Sequence, residues 1–170
     1  ASALSTLSIE LLGKARQLAD KRANKSSRIS SVPIRAKAAE EAISYGADAV
    51  VAVEDPVLEG YDSALYTKAI AALVEKYAPS VILIGGSPNG RDLGGRLSAK
   101  LKVGLVADCI DVLHEGDDDT LTWIRPAFTG KLLVKIQTTT RPQLGTVSDK
   151  IFHGVPANPS RKGRRHQRKS

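Results

Sequence analysis

Four apolar residues, Val81-Ile82-Leu83-Ile84, run directly into Gly85-Gly86-Ser87-Pro88-Asn89-Gly90-Arg91, and a helical pattern follows. A buried strand, a glycine-rich turn and a helix start constrain the chain to an α/β architecture. The turn leaves backbone N–H groups unpaired at the end of a sheet, where such proteins hold phosphates, cofactors or partner side chains. The stretch is not a Walker loop, because no Gly-Lys-Ser/Thr follows, and its glycine spacing does not match the dinucleotide fingerprint. Gly94 and Gly95 fall inside the helical pattern, where they cost stability unless another chain segment packs close. On chemistry alone, a structural turn and a ligand-facing edge both stay open.

The rest of the chain supports the same class. Leu4, Leu7, Leu11, Leu12, Ala15, Leu18 and Ala19 predict a helix over about 4–22. Residues 23–28 read as a link and 29–34 as a short strand, with Pro33 unsuited to a sheet centre. A helix over 36–45 capped by Gly46 precedes a buried strand over 49–53. Asp62 is placed to cap a helix that carries Tyr66, Ala69, Ile70, Leu73, Val74 and Tyr77 and stops at Pro79. The next helix is expected over 90–101. After Gly104 the period changes to two, with Val106, Asp108, Ile110 and Val112 on one face of a strand over 105–113, followed by strands over 121–128, around 132–136 and over 142–147. Helix–strand alternation followed by a meander predicts an α/β fold: a three-layer, Rossmann-like parallel sheet flanked by helices and extended by antiparallel strands.

Charge is concentrated at one end. The chain of 170 residues carries a formal net charge of +7, and Arg161, Lys162, Arg164, Arg165, Arg168 and Lys169 supply six positive charges with no acid among the last ten residues. Residues 153–170 therefore read as a disordered basic tail, which leaves nucleic-acid binding as an alternative function although the run has no aromatic residue for base stacking. No apolar run is long enough to span a membrane and no secretory signal is found, so the reading is cytoplasmic with no membrane partner. The single cysteine, Cys109, excludes an internal disulfide and reads as a small buried hydrophobe. Asp117-Asp118-Asp119 lacks the pattern of a calcium loop, and three scattered histidines offer no zinc spacing, so no metal is expected. Asp108 is expected to be satisfied by backbone N–H groups or an arginine, and no catalytic residues can be assembled. Arg125-Pro126 and Arg141-Pro142 each place an arginine before a proline near a strand end, with Phe128 close by, which suits either partner recognition or plain solvation.

Several motifs occur in a telling order: Leu-Ser-Ile-Glu-Leu-Leu-Gly-Lys-Ala-Arg (7–16), Tyr-Gly-Ala-Asp (45–48), Val-Glu-Asp-Pro (53–56), Gly-Arg-Asp-Leu followed by Arg-Leu (90–97), Gly-Leu-Val-Ala-Asp-Cys (104–109), Arg-Pro-Ala-Phe-Thr-Gly (125–130) and Arg-Pro-Gln-Leu-Gly-Thr-Val (141–147). Together they make residues 1–152 resemble the N-terminal domain of the bacterial electron transfer flavoprotein alpha subunit. The resemblance implies an electron-transfer scaffold rather than an enzyme. It pairs with a beta subunit and serves acyl-CoA dehydrogenase-type redox partners, as in fatty acid β-oxidation. It further implies FAD in the full complex, with Gly86, Ser87, Asn89, Gly90 and Arg91 near the intersubunit cleft and Arg125, Phe128 and Arg141 at the interface. Relative to the family pattern, a first strand and a C-terminal FAD-binding domain are missing, so the chain alone is expected to hold no FAD tightly and to have an exposed sheet edge. The alternative from residues alone is a stand-alone nucleotide-binding α/β protein.

Overall fold

The apolar stripe of the first helix meets a layer of alanines. In the computed structural model, which describes residues 4–21, 30–31, 37–53 and 55–168, α1 spans Thr6–Lys21 and α2 spans Lys37–Ser44. Leu12 packs with Ala39, Ala42, Ala47 and Val50, and the small side chains let helix and strand approach closely. β2 (Ala49–Val53) is the central strand of a parallel sheet, with β1 (Ser30–Ser31) on one side and β9 (Arg164–Arg168) on the other. Gly46 ends α2 with a φ of 116°, as its position predicts. The predicted link over 23–28, Pro33 and Lys169 lie outside the described residues. These elements belong to a unit made of residues 1–60 and 152–170.

Residues 61–151 form a second compact unit. α3 (Ser63–Tyr77) starts at Asp62, whose carboxylate accepts from the Leu65 N–H at 2.8 Å, and ends at Ala78 in a left-handed conformation ahead of Pro79. β3 (Val81–Gly85), α4 (Pro88–Leu101) and β4 (Leu105–Cys109) follow. β8 (Gln143–Val147) inserts between β3 and β4, parallel to both. The last strand of this unit in the chain is thus its sheet's centre, which explains why all five of its residues are buried. Ala71, Leu97, Val103 and Leu144 form the core beneath. β5 (Asp111–Leu113), β6 (Thr122–Ala127) and β7 (Leu132–Ile136) make a separate antiparallel sheet.

Parallel sheets flanked by helices and extended by antiparallel strands are the class predicted from the sequence, with the parallel strands divided between two sheets. Three expectations need correction. The helix expected from residue 90 begins at Pro88, because Ser87 caps it and proline suits the first helical position. Residues 105–113 are not one alternating strand. A register shift between Val106 and Cys109, with Asp108 at a φ of 57°, turns Cys109 inward and separates β4 from β5. The tail is not uniformly disordered: residues 164–168 pair with β2 in register from Ala49↔Arg164 to Val53↔Arg168. Upstream anchors bring it there, since Arg164 N–H donates to the Asp48 carbonyl at 2.9 Å and Arg161 donates to the Asp48 carboxylate at 2.7 Å.

Candidate functional site

The carboxyl end of the β3-β8-β4 sheet and the start of α4 form one edge. Gly86 N–H donates to the Val147 carbonyl at 2.7 Å, and Ser148 N–H donates to the Cys109 carbonyl at 2.9 Å. Backbone bonds therefore zip the strand ends together beneath the loop. A Cβ on Gly86 would lie 2.8 Å from the Val147 oxygen, and one on Gly90 would overlap the Gly85 carbonyl oxygen. Both glycines are required by close backbone approach, so the glycine richness has a structural cause. Gly94 is buried against Thr146, whereas Gly95 faces open space.

The first turn of α4 is nearly satisfied from within. The Ser87 hydroxyl accepts from the Gly90 N–H at 3.1 Å, and the Ser87 carbonyl accepts from the Arg91 N–H at 2.9 Å. Pro88 has no N–H, and the Asn89 N–H takes no part in these capping bonds. Ser87, Pro88, Asn89 and Arg91 are exposed, and Gly86 is half-buried. Arg91 donates through Nε to Asp108 at 2.8 Å, so the expectation that an arginine satisfies this acid holds. The Asp108 N–H is itself received by the buried Thr146 hydroxyl at 2.9 Å.

Farther along α4, the Tyr61 hydroxyl donates to Asp92 at 2.6 Å, and Arg96 donates to the same carboxylate at 3.0 Å. These bonds, the tyrosine's first, hold Asp92 below the usual carboxylate range, while desolvation and the bond to Asp92 push Tyr61 up to about 12. Cys109 is fully buried and its thiol is pushed up to about 12, by burial first and by Asp108 next, with Arg125 opposing. A thiol raised in this way stays protonated at neutral pH.

Gly86, Ser87, Asn89, Gly90 and Arg91 are thus brought together as a contiguous edge. Arg125 lies mid-strand in β6, opposite Val134, and Phe128 stands at the hairpin tip, 75% exposed with a φ of 49°. Arg141 folds back on its own surroundings, donating to the Thr138 and Thr140 carbonyls at 3.2 and 3.1 Å and to the Thr120 hydroxyl at 3.3 Å. None of its hydrogen bonds reaches the loop over 86–91. Sequence reasoning did not single out Thr146 or the Tyr61–Asp92–Arg96 cluster. Only Ser87-Pro88, a capping residue followed by proline, was a readable signal for the start of α4. Among the described residues no group of histidine, cysteine or acidic side chains is arranged to hold a metal ion, and no helix is long and apolar enough to cross a membrane.

Comparison with known proteins settles the family. A family model for the electron transfer flavoprotein domain matches residues 1–169. The chain belongs to the electron transfer flavoprotein domain family. The alpha subunit of the electron transfer flavoprotein of Megasphaera elsdenii is 38% identical over 161 residues, covering 94% of this chain and 48% of that protein. Protein FixB of Azorhizobium caulinodans is 41% identical over 150 residues, covering 86% of this chain and 40% of its own length. Subunit LctC of the NAD(+),ferredoxin-dependent lactate dehydrogenase of Acetobacterium woodii is 35% identical over 155 residues, with 86% and 35% covered. The chain spans about half, or less, of the length of these relatives.

Proposed function

We propose that this chain is the partner-binding scaffold of an electron transfer flavoprotein alpha-type subunit, which works in the cytoplasm with a beta subunit and acyl-CoA dehydrogenase-type redox partners. The observation that carries the reading is the family match across residues 1–169. In this reading the module contributes position, and its carboxyl edge is tied together by backbone hydrogen bonds between the strand ends.

The loop residues suit the anionic end of a nucleotide cofactor: they open α4 at its N-terminus, and the Arg91 side chain is exposed there. The serine, asparagine and glycines of the loop give a flavin ring no apolar wall. FAD, when bound, supplies the electron-carrying ring, and in this reading the ring is held by other parts of the complex. This chain's Gly86, Ser87, Asn89, Gly90 and Arg91 border the phosphate side of the intersubunit cleft. Phe128, at the hairpin tip just beyond Arg125's strand, meets the beta subunit, and Arg141 shapes the neighbouring loop.

The test is co-expression with a beta subunit and capture through a tag on this chain. Stoichiometric recovery of the beta subunit is expected for the wild-type chain, with a strong loss for Phe128→Asp. A beta subunit that stays in the flow-through overturns the reading.

A further inference from the structure

Thr146 ties together three pieces of the edge that carries the glycine loop. It sits in β8, the central strand between β3 and β4, and is fully buried. Its hydroxyl accepts from the Asp108 N–H at 2.9 Å, and a Cβ on Gly94 would lie 2.8 Å from its Cγ2 methyl. A β-branched side chain has few χ1 choices, so hydroxyl and methyl are fixed together. The hydroxyl pins the irregular end of β4, where Asp108 adopts a φ of 57°, and the methyl sets how closely α4 approaches. Both contacts converge on Arg91. Gly94 follows it by three residues, next to it on the helix surface, and Asp108 receives its Nε at 2.8 Å. All of these residues belong to the unit made of residues 61–151.

We propose that Thr146 is the positioning residue for the Arg91 guanidinium, and that the guanidinium so held meets a phosphate group at this edge, which rests on the reading of residues 86–91 as the phosphate side of the cleft. Arg91 bonds to Asp108 through Nε alone, which leaves the Nη1–Nη2 end of the fork unengaged among the described residues. Beside a carboxylate the guanidinium offers an anion little net charge. It offers direction, two parallel N–H groups that match phosphate oxygens. That direction is lost if the carboxylate wanders, and an exposed ion pair is too weak to hold itself still. The Asp108 carboxylate is steered instead by its backbone, whose N–H has the buried Thr146 hydroxyl as acceptor. A valine of the same shape would keep the methyl contact with Gly94 and leave that N–H without its partner.

The experiment uses the full chain, isotopically labelled for NMR, with inorganic pyrophosphate as the probe. In the wild type the Asp108 amide and the Arg91 Nε–H, the latter assigned through Arg91→Lys, should exchange with water at least tenfold more slowly than in the urea-unfolded chain. Thr146→Val should speed exchange at both groups at least fivefold and weaken pyrophosphate binding, read from the Arg91 signals, at least fivefold. Thr146→Ser, which keeps the hydroxyl, should stay within twofold of wild type in both. Exchange at the Leu97 amide, deep in α4, should be unchanged in either variant, because a general loosening would move it as well. Should Thr146→Val fail to fold, the wild type alone still decides: an Asp108 amide exchanging at the unfolded rate removes the first link and overturns the proposal. A Thr146→Val chain that binds pyrophosphate and exchanges as wild type does overturns it too, as does a Thr146→Ser chain impaired as badly as the valine variant. A wild type that protects both groups but shows no shift at residues 86–91 with pyrophosphate overturns the phosphate reading of the loop, and with it the role given to Arg91. The failure of that reading is therefore distinct from the failure of Thr146 as its positioning residue.

Discussion

Arg91 donates through Nε to the Asp108 carboxylate at 2.8 Å, joining the first turn of α4 to the irregular end of β4, and Asp108 makes that contact from a left-handed backbone with a φ of 57°. The ion pair and the backbone conformation are separable contributions. Both side chains are well exposed, so the pair is worth less than about 1 kcal/mol. A branched residue in the left-handed region costs a further ~1–2 kcal/mol. Asp108→Asn should therefore shift the urea midpoint only slightly, and Asp108→Val distinctly more. Equal midpoints for the two variants would show that the backbone at 108 is not constrained.

Gly145 in β8 lies under the Trp123 ring, and a Cβ there would overlap the ring carbons. Trp123 is fully buried. Gly145→Ala should destabilise the chain by about 1–3 kcal/mol through overpacking, read from chemical denaturation. A larger value would mean that the ring leaves its site.

The Cys109 thiol offers a direct check on the packing of β4. Its folded pKa, about 12, lies above the ordinary value of 9.0, so the protonated thiol contributes stability that is complete below the unfolded pKa and is lost as pH rises through the folded one. At pH 8 the native chain should react with Ellman's reagent far more slowly than the urea-unfolded chain, which should react completely. Rapid reaction of the native chain would mean that residue 109 is exposed.

Tyr61 and Asp92 are shifted in opposite directions: desolvation and then the 2.6 Å hydrogen bond between them raise Tyr61, and the same bond is the largest cause that lowers Asp92. Asp92 is lowered, so its contribution is present above the unfolded carboxylate pKa and disappears as pH falls through the folded value. Tyr61 is raised to about 12, so its contribution is complete below 10 and disappears as pH rises toward 12. A spectrophotometric titration should show a late tyrosinate in the wild type that Tyr61→Phe removes. A wild-type curve with every tyrosine ionising near pH 10 would remove the bond.

How far the sequence could be read depended on whether local pattern or distant pairing decided the outcome. Asp62, the helix with Leu73 and Val74, and the apolar run over 49–53 are local patterns, and the structure places them as read. Asp108 broke the alternation because its left-handed backbone swings Cys109 inward, which no period-two pattern contains. β8 gave no sign that it would be central, since its position depends on β3 and β4 as partners. In β9, composition argued for disorder, while two backbone and side-chain anchors on Asp48 decided for a strand. In the loop, the glycines were legible but their reason was not: contact with Gly85 and Val147 requires the folded sheet.

Asp48 holds β9 in place by receiving Arg16 at 2.9 Å and Arg161 at 2.7 Å, with all three side chains less than a third exposed. Asp48→Asn should cost about 2 kcal/mol, the scale of a charge-assisted hydrogen bond. It should also speed tryptic cleavage between Arg161 and Arg168. Unchanged cleavage kinetics would show that the strand is held by its ladder alone.

Sedimentation velocity of the purified chain mixed with a beta subunit tests the proposed scaffold role: the wild-type chain should give a single faster-sedimenting 1:1 species, and Phe128→Asp a mixture of free components. Two independent boundaries for the wild-type chain at micromolar concentration, with each protein folded by circular dichroism, would contradict it.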